Sequence, residues 1–491
     1  ALLEIGQYYE KYPRVDWRNT DAEYGVDSHL AGLGHNALEE AWMMEVFIPC
    51  WDHMRFWNEM SDDEYLTIMN TFILPAARYM YRYPVGGFNN MAQETRSRVA
   101  YWALLLDRRE WLRKLYDRGL GFKAQLQHGF SDEGWSFEGH YHSHSVKPML
   151  FWAEIYVKAG YPVEKIYNAE FKRIFDAYLL KAPFWNGEPI IESRIAAQRF
   201  DDPILAHYND AEVLAKIPST NLPSLGFTAL RRNIDGHLYA AGMNWGIHEK
   251  RGAPDRMGVF ISSPFFTTYR KTYNKYSVDQ ATIVVDGGNQ TPKRGTLDQF
   301  VPDGQVRIMS ASNSELYDGV TIYRTVINLE NGAFIVMDRC ASDTERTYDW
   351  PATGIQQPDG IDFVGKKDAL GVTNGYDGFN EVAIVNGAWG ERDDSKTVLV
   401  LPWPDTMLAR KIHKQEWRGQ TVLVRRRGKT VDAGIAYVSN HANNTPVKFE
   451  WISRQAQKSV ADLTVGARVW RVVIDYSAPP EQRAGVQVRT D

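Results

Sequence analysis

The sequence predicts an α+β chain of two domains, a helical domain over residues 1–217 followed by an antiparallel β-sandwich over residues 218–491. Three observations predict it. Apolar residues recur with helical period as far as about Ala215, and Ile217-Pro218-Ser219-Thr220-Asn221-Leu222-Pro223 then interrupts that period as a linker would. Beyond the interruption, short β-branched runs follow one another without helices between them. A length of 491 residues also exceeds what one hydrophobic core organises, so each domain is large enough to fold without staples.

Taken in order, Ser61-Asp62-Asp63-Glu64 is a capping box, and Leu66, Met69, Phe72, Ala76 and Met80 share one helical stripe in which Pro75 is a kink. The stretches 36–60, 91–106, 109–128, 144–160 and 163–181 repeat the habit, and the short breaks between them predict antiparallel helical hairpins. In the second domain Val320 to Leu329 alternates, Asn331-Gly332 supplies a hairpin turn, and Phe334 to Met337 returns. Lys396 to Leu401, Thr421 to Val424, Gly434 to Val438 and Arg468 to Asp475 read as further strands.

A net charge of −5, from 56 basic and 61 acidic residues, gives no cationic field to recruit nucleic acid or an anionic membrane surface. Cys50 and Cys340 are the two cysteines, and their placement in different domains argues against a structural disulfide. No apolar run reaches the roughly 18 residues that span a bilayer, and Ala1-Leu2-Leu3-Glu4 does not read as a signal peptide, so the chain is expected to be soluble as given. The 16 Trp, 26 Tyr and 21 Phe are first of all core, although planar rings also floor the clefts that bind sugars.

The densest chemistry lies in Ser131 to His144, where His140, His142, His144 and Tyr141 fall within five residues. Imidazole and phenol carry protons, which points to acid–base work. A His-x-His-x-His segment also chelates zinc, so a divalent metal competes with that reading, and a purely structural role is the third. Asp132, Glu133 and Glu138 offer the carboxylate pair of a glycoside hydrolase, although Glu138 reads better as an acceptor that orients a neighbour. Asn89 and Asn90 follow two glycines at a helix entrance, where an Asn either caps the helix or aims its amide into a cleft. Arg96 and Arg98 come within two turns and are available to a carboxylate. Tyr269 to Tyr276, with three tyrosines and three cations, forms either a solvated edge or a wall for an anionic sugar.

These residues together resemble the heparinase II/III-like polysaccharide lyases, a group that includes oligoalginate lyases. Asn89-Asn90, the run from Asp132 to His142, Ser277 to Gly287, Val326 to Asp338 and Thr347-Tyr348-Asp349-Trp350 carry the resemblance, in order over most of the chain. It implies an incomplete (α/α) toroid followed by an antiparallel β-sandwich, and cleavage of a uronic-acid polysaccharide by β-elimination. It further implies that Asn90, with Asn89 as its companion, neutralises the C6 carboxylate, while Tyr141 or a neighbouring histidine (His140, His142) serves as base or acid. Tyr273 matches a β-domain tyrosine that takes part in proton transfer. Arg96, Glu138 and His144 are then expected at the substrate.

The chain departs from the group's pattern at three places: Met91 stands where a histidine is common, Gln280-Ala281-Thr282 where His-Asn-Thr is common, and Pro351 where a histidine follows Tyr-Asp-Trp. These losses weaken the case for a β-domain zinc site and raise the value of the His140 to His144 cluster and of His248 as replacements. No cofactor is predicted. The partner expected is an anionic polysaccharide or oligosaccharide, tilted toward unsulfated chains such as alginate or glucuronan, and the location expected from the resemblance is periplasmic or secreted. Two other readings stand beside the lyase: a glycoside hydrolase, and a non-catalytic glycan-binding protein on a lyase scaffold.

Overall fold

The computed structural model describes residues 2–9, 37–82, 87–137, 142–181, 193–207, 210–246, 256–263, 277, 282–353, 363–367, 379–382, 387–392, 395–400, 406–410, 421–440 and 445–490. Contacts divide the chain into one unit of Ala1–Ala177 with Ile190–Ala206 and a second of Tyr178–Pro189 with His207–Asp491. The helices are α1 (Leu2–Tyr8), α2 (Ala37–Phe56), α3 (Asp62–Ile68), α4 (Leu74–Arg82), α5 (Asn90–Leu105), α6 (Arg109–Asp117), α7 (Phe122–His128), α8 (His142–Lys158), α9 (Val163–Ile166), α10 (Ala169–Lys181), α11 (Ser193–Phe200) and α12 (Ala211–Leu214).

Local chemistry explains where these helices start and break. The capping box forms as read: the Glu64 N–H donates to Ser61 Oγ at 3.3 Å and the Ser61 N–H to Glu64 Oε2 at 3.0 Å. Pro75 does more than kink the helix that follows. It has no N–H for the Thr71 carbonyl, and the chain widens just before it into a π-helical turn, Met69–Ile73, where the Leu74 N–H reaches back five residues to Met69 O. The helix expected over 109–128 is two, α6 and α7, because a Cβ on Gly121 would lie 2.4 Å from the Leu115 carbonyl and the chain must turn there. Over 163–181, Asn168 starts a new helix by accepting from the Phe171 N–H at 2.9 Å.

Helices α5 and α8 pack side by side and run parallel. Gln93, near the start of α5, lies against Gly129, whose carbonyl accepts from the Phe137 N–H (3.3 Å) just ahead of α8. Midway along both, the Arg98 guanidinium covers the Phe151 ring at 4.3 Å. Behind them the rings of Phe122, Trp152, Tyr156 and Phe171 interlock edge to face, and the Tyr156 hydroxyl accepts from Trp152 Nε1 while donating to Leu112 O. That packing fixes the far side of α8 and leaves its other stripe free for a site.

The second unit is layered. One sheet runs β1-β2-β3-β4 (Thr220–Leu222, Phe227–Ile234, His237–Asn244, Gly258–Ser262). The stretch read as a linker therefore contains a strand, kept short by Pro218 and Pro223 at its borders. Among the described residues the central sheet has eleven strands: β5 (Val284–Val285), β6 (Thr296–Val301), β7 (Val306–Tyr317), β8 (Val320–Leu329), β9 (Phe334–Thr353), β10 (Phe363–Lys367), β11 (Phe379–Val382), β12 (Gly387–Arg392), β13 (Ser395–Val400), β14 (Thr406–Arg410) and β15 (Thr421–Asn440). The hairpin at Asn331-Gly332 forms, with Gly332 at φ 81°. The runs 421–424 and 434–438 prove to be the two ends of one strand, β15, that pairs along its length with β9. A third sheet runs β16-β17-β18-β19 (Val447–Arg454, Lys458–Val465, Arg468–Asp475, Ala484–Thr490).

Alternation places the cores. On β9, Phe334 and Val336 join the core shared with Met243 and Ile261 of the first sheet, whereas Ile335 and Met337 join Leu463, Trp470 and Ile474 of the third. Among the described residues, the cross-strand pairs Arg324–Asp338, Arg339–Asp432 and Arg425–Asp349 are buried in the central sheet, each bidentate at 2.6–2.9 Å. Arg339 also donates to Gln455 O, Ala456 O and Ser459 Oγ, and so ties the third sheet to the second.

Candidate functional site

The two asparagines at the start of α5 divide their labour. Asn89 is the N-cap: its Oδ1 accepts from the Ala92 N–H at 2.8 Å. Asn90, the first helical residue, instead lines a cavity of about 550 Å³ in the helical unit. Glu94, Arg98 and Tyr101 continue the Asn90 stripe down α5, and His144, Lys147, Phe151, Glu154 and Lys158 form the matching stripe on α8. Trp42 of α2 and Ile195 of α11 complete the wall. Because α5 and α8 run parallel, their N-terminal ends, and with them Asn90 and His144, lie at the same end of the cavity. Both helix dipoles make that end attractive to an anion.

Most of the charge lining the cavity is neutralised in place. Glu94 accepts from Arg98 Nε (3.1 Å) and Nη2 (2.7 Å). Glu154 accepts from Arg199 Nε (2.8 Å), Arg199 Nη2 (2.7 Å) and the Tyr167 hydroxyl (2.6 Å), which joins α8 to α11. Burial pushes the Glu154 carboxyl up, but the Arg199 and Tyr167 bonds outweigh it and hold the group below the usual carboxylate range. Burial, then the Glu154 charge, drives the Tyr167 phenol well above its ordinary value. The walls between these charges are apolar and aromatic, from Trp42, Tyr101 and Phe151.

His142 sits elsewhere. It is 1 % exposed, with its ring stacked on Trp135 at 4.1 Å and edge-on to Phe130. Its Nδ1 accepts from the Ser136 N–H at 3.0 Å, which requires the tautomer protonated at Nε2, and Nε2 donates to Ile174 O at 3.0 Å. Both nitrogens are thus held by the backbone, and the ring has no face open to a substrate. The turn that delivers Trp135 beneath it needs Gly134, at φ 89°, because a Cβ there would lie 2.2 Å from the Arg173 carbonyl. Between Ser131 and Ser136 the chain is built as a tight turn.

Of the other residues singled out in the sequence, the structure brings Asn90 and His144 to one cavity, with Asn89 beside them as the cap. Arg96 does not line it. It is buried on the other side of α5, where loss of solvent pushes its guanidinium down to about 10. Arg98 takes the cavity position, and the fourfold spacing Asn90, Glu94, Arg98 is the sequence signal that distinguishes it. Lys147 and Glu154, on the same helix as His144, also line the cavity, and their place on that helix is the sequence signal for them. Asp132 and Glu133 do not line the cavity. Tyr141, His140, Glu138, Tyr273 and His248 lie outside the described residues. Among the described residues no three His, Cys, Asp or Glu side chains gather as a metal site requires.

Comparison with known proteins gives a consistent fold. No family model matches the sequence, and no curated protein matches it. Solved structures do. A heparinase III gene product aligns over 100% of this chain and 81% of its own, with a TM-score of 0.64 at 11% identity. A crystal structure of heparinase III covers 99% of this chain and 79% of that one, with a TM-score of 0.62 at 11% identity. The heparan sulfate lyase HepC from Pedobacter heparinus covers 97% and 79%, with a TM-score of 0.61 at 11% identity. The chain has the heparinase III fold, a helical toroid followed by antiparallel β-sheets, as the resemblance implied.

Proposed function

We propose that this chain is a polysaccharide lyase that cleaves a uronic-acid glycan by β-elimination. The observation that carries the reading is the meeting of Asn90 and His144 at the dipole-positive end of one cavity, on a chain whose whole length follows the fold of heparinase III. The related structures bear the names of heparinase and heparan sulfate lyase, and uronates are the acidic sugars such glycans contain.

In this reading the Asn90 amide donates to the C6 carboxylate of the sugar to be cleaved, and the positive ends of α5 and α8 favour the same charge. Neutralising the carboxylate acidifies the C5 proton. A base removes that proton, negative charge spreads onto the carboxylate as an enediolate, and the C4–O bond breaks to leave a 4,5-double bond. An acid returns a proton to the departing glycosidic oxygen. Tyr141 is the proposed base, with His140, His144 and Tyr273 as the remaining proton carriers, because His142 is committed to the backbone. An ordinary phenol loses its proton only near pH 10, so a tyrosinate needs positive surroundings at neutral pH.

The test incubates the protein with alginate, glucuronan, hyaluronan, chondroitin and heparan and follows the ultraviolet absorbance of an unsaturated uronate. Chains shortened without that chromophore would replace elimination with hydrolysis. Tyr141→Phe is expected to lose most of the rate while keeping much of the affinity for glycan.

A further inference from the structure

The two carboxylates lining the cavity are already answered by arginines, Glu94 by Arg98 and Glu154 by Arg199. Lys147 is different. It is half-buried, faces the same cavity, and makes no ion pair among the described residues. Its ammonium is therefore available to an anionic group that enters the cavity.

Its location defines what that anion would be. Arg98 lies over Phe151, so the parallel helices place Asn90 level with the start of α8 and Lys147 one turn further in. From His144 to Lys147 the helix rises three residues, or about 4.5 Å. That displacement is comparable to the length of one sugar unit, so the sugar next to the one whose carboxylate meets Asn90 comes within reach of Lys147. The aromatic rings of Tyr101 and Phe151 line the cavity deeper along the same direction.

We infer that Lys147 is a specificity-determining residue that binds the carboxylate of the sugar next to the one being cleaved, so the site prefers glycans in which uronates are contiguous over glycans in which they alternate with uncharged sugars. The inference rests on the glycan-binding reading of the cavity given above. A densely sulfated chain would bring several anions to each sugar pair, and the described cavity walls, with Arg98 already paired to Glu94, offer Lys147 and Lys158 to meet them.

The experiment is a calorimetric titration with a glucuronan tetrasaccharide and a hyaluronan tetrasaccharide, repeated on Lys147→Met and Lys147→Arg. Each titrated sample is afterwards read for ultraviolet absorbance of cleaved sugar. The parent is expected to bind the contiguous uronate about tenfold more tightly, Lys147→Met to erase that preference by weakening the glucuronan ligand alone, and Lys147→Arg to keep it. Equal affinity of Lys147→Met and parent for glucuronan overturns the assignment. So does an equal loss toward both ligands, or a parent that binds neither. A preference that follows Lys147 without any cleaved product would leave this assignment standing and remove elimination instead.

Discussion

His142 gives the sharpest test of which histidines in the cluster are structural. Replacing it with Phe keeps a stacked ring on Trp135 but leaves the Ser136 N–H and the Ile174 carbonyl facing a hydrocarbon edge. Each buried backbone group stranded in this way costs about 1–3 kcal/mol, so the substitution is expected to destabilise the helical unit by about 2–6 kcal/mol. His142→Ala also removes the ring from a fully buried site, which moves the loss to the upper end of that range or beyond. At about 2–4 °C per kcal/mol for a unit of this size, the melting temperature should fall by roughly 10 °C. The assay is thermal and urea unfolding followed by far-ultraviolet circular dichroism, alongside product formation well below the transition. Activity per folded molecule should survive. A variant that melts with the parent but makes no product would refute the reasoning and return His142 to the chemistry.

Asn89→Ala should cost about 1 kcal/mol of stability through the lost cap, and Asn90→Ala should lower the rate of the folded protein on a uronate glycan by about 10²-fold or more; an Asn90→Ala protein that keeps the parent's rate per folded molecule would count against its role. Arg339→Met should cost about 3–5 kcal/mol by stranding buried Asp432, and should raise hydrogen exchange in β16–β19 more than in β1–β4. Uniform exchange in both sheets would show that Arg339 does not tie the third sheet down. The Glu154 carboxyl is held low in the fold, so its pairing with Arg199 contributes above the unfolded carboxylate pKa, near about 4.3, and fades as pH falls through the lower folded value. Glu154→Gln should therefore flatten the acid limb of the stability curve by at most about 1 kcal/mol after solvent screening, and an unchanged curve would exclude the pair as its cause.

What could be read from the sequence followed from local rules. The capping box at Ser61, the turn at Asn331-Gly332 and the strand Arg468 to Asp475 are set by residues within a few positions, and each appears where expected. Strand length was less visible. Between its two apolar ends β15 carries Arg425, Arg426, Arg427, Gly428, Lys429 and Thr430, a stretch that reads as loop until Asp349 and the long β9 supply partners. The site divided in the same manner. Asn90 and His144 could be singled out by type, but the helix face that separates Arg98 from Arg96, and Lys147 from its neighbours, acquires meaning only once α5 and α8 are known to be parallel. The role of His142 is not legible in the sequence for a physical reason: a neutral imidazole that accepts one backbone bond and donates another has the same letter as one that moves protons.

The long pairing of β15 with β9 also says something about how the second unit is made. Partners in that ladder are separated by about 70 residues at Thr421↔Thr353 and about 100 at Tyr437↔Phe334. The meander β6-β7-β8-β9 closes through short turns and can assemble early, but its β9 edge stays uncovered until the chain has passed through β10 to β14 and come back. During synthesis that edge emerges from the ribosome well before its partner, and the open edge of a 20-residue strand is a template for other chains. Overproduction at high temperature should therefore trap the protein in aggregates seeded at β9, and slowing synthesis or lowering temperature should recover soluble chain, independently of anything that happens at the cavity.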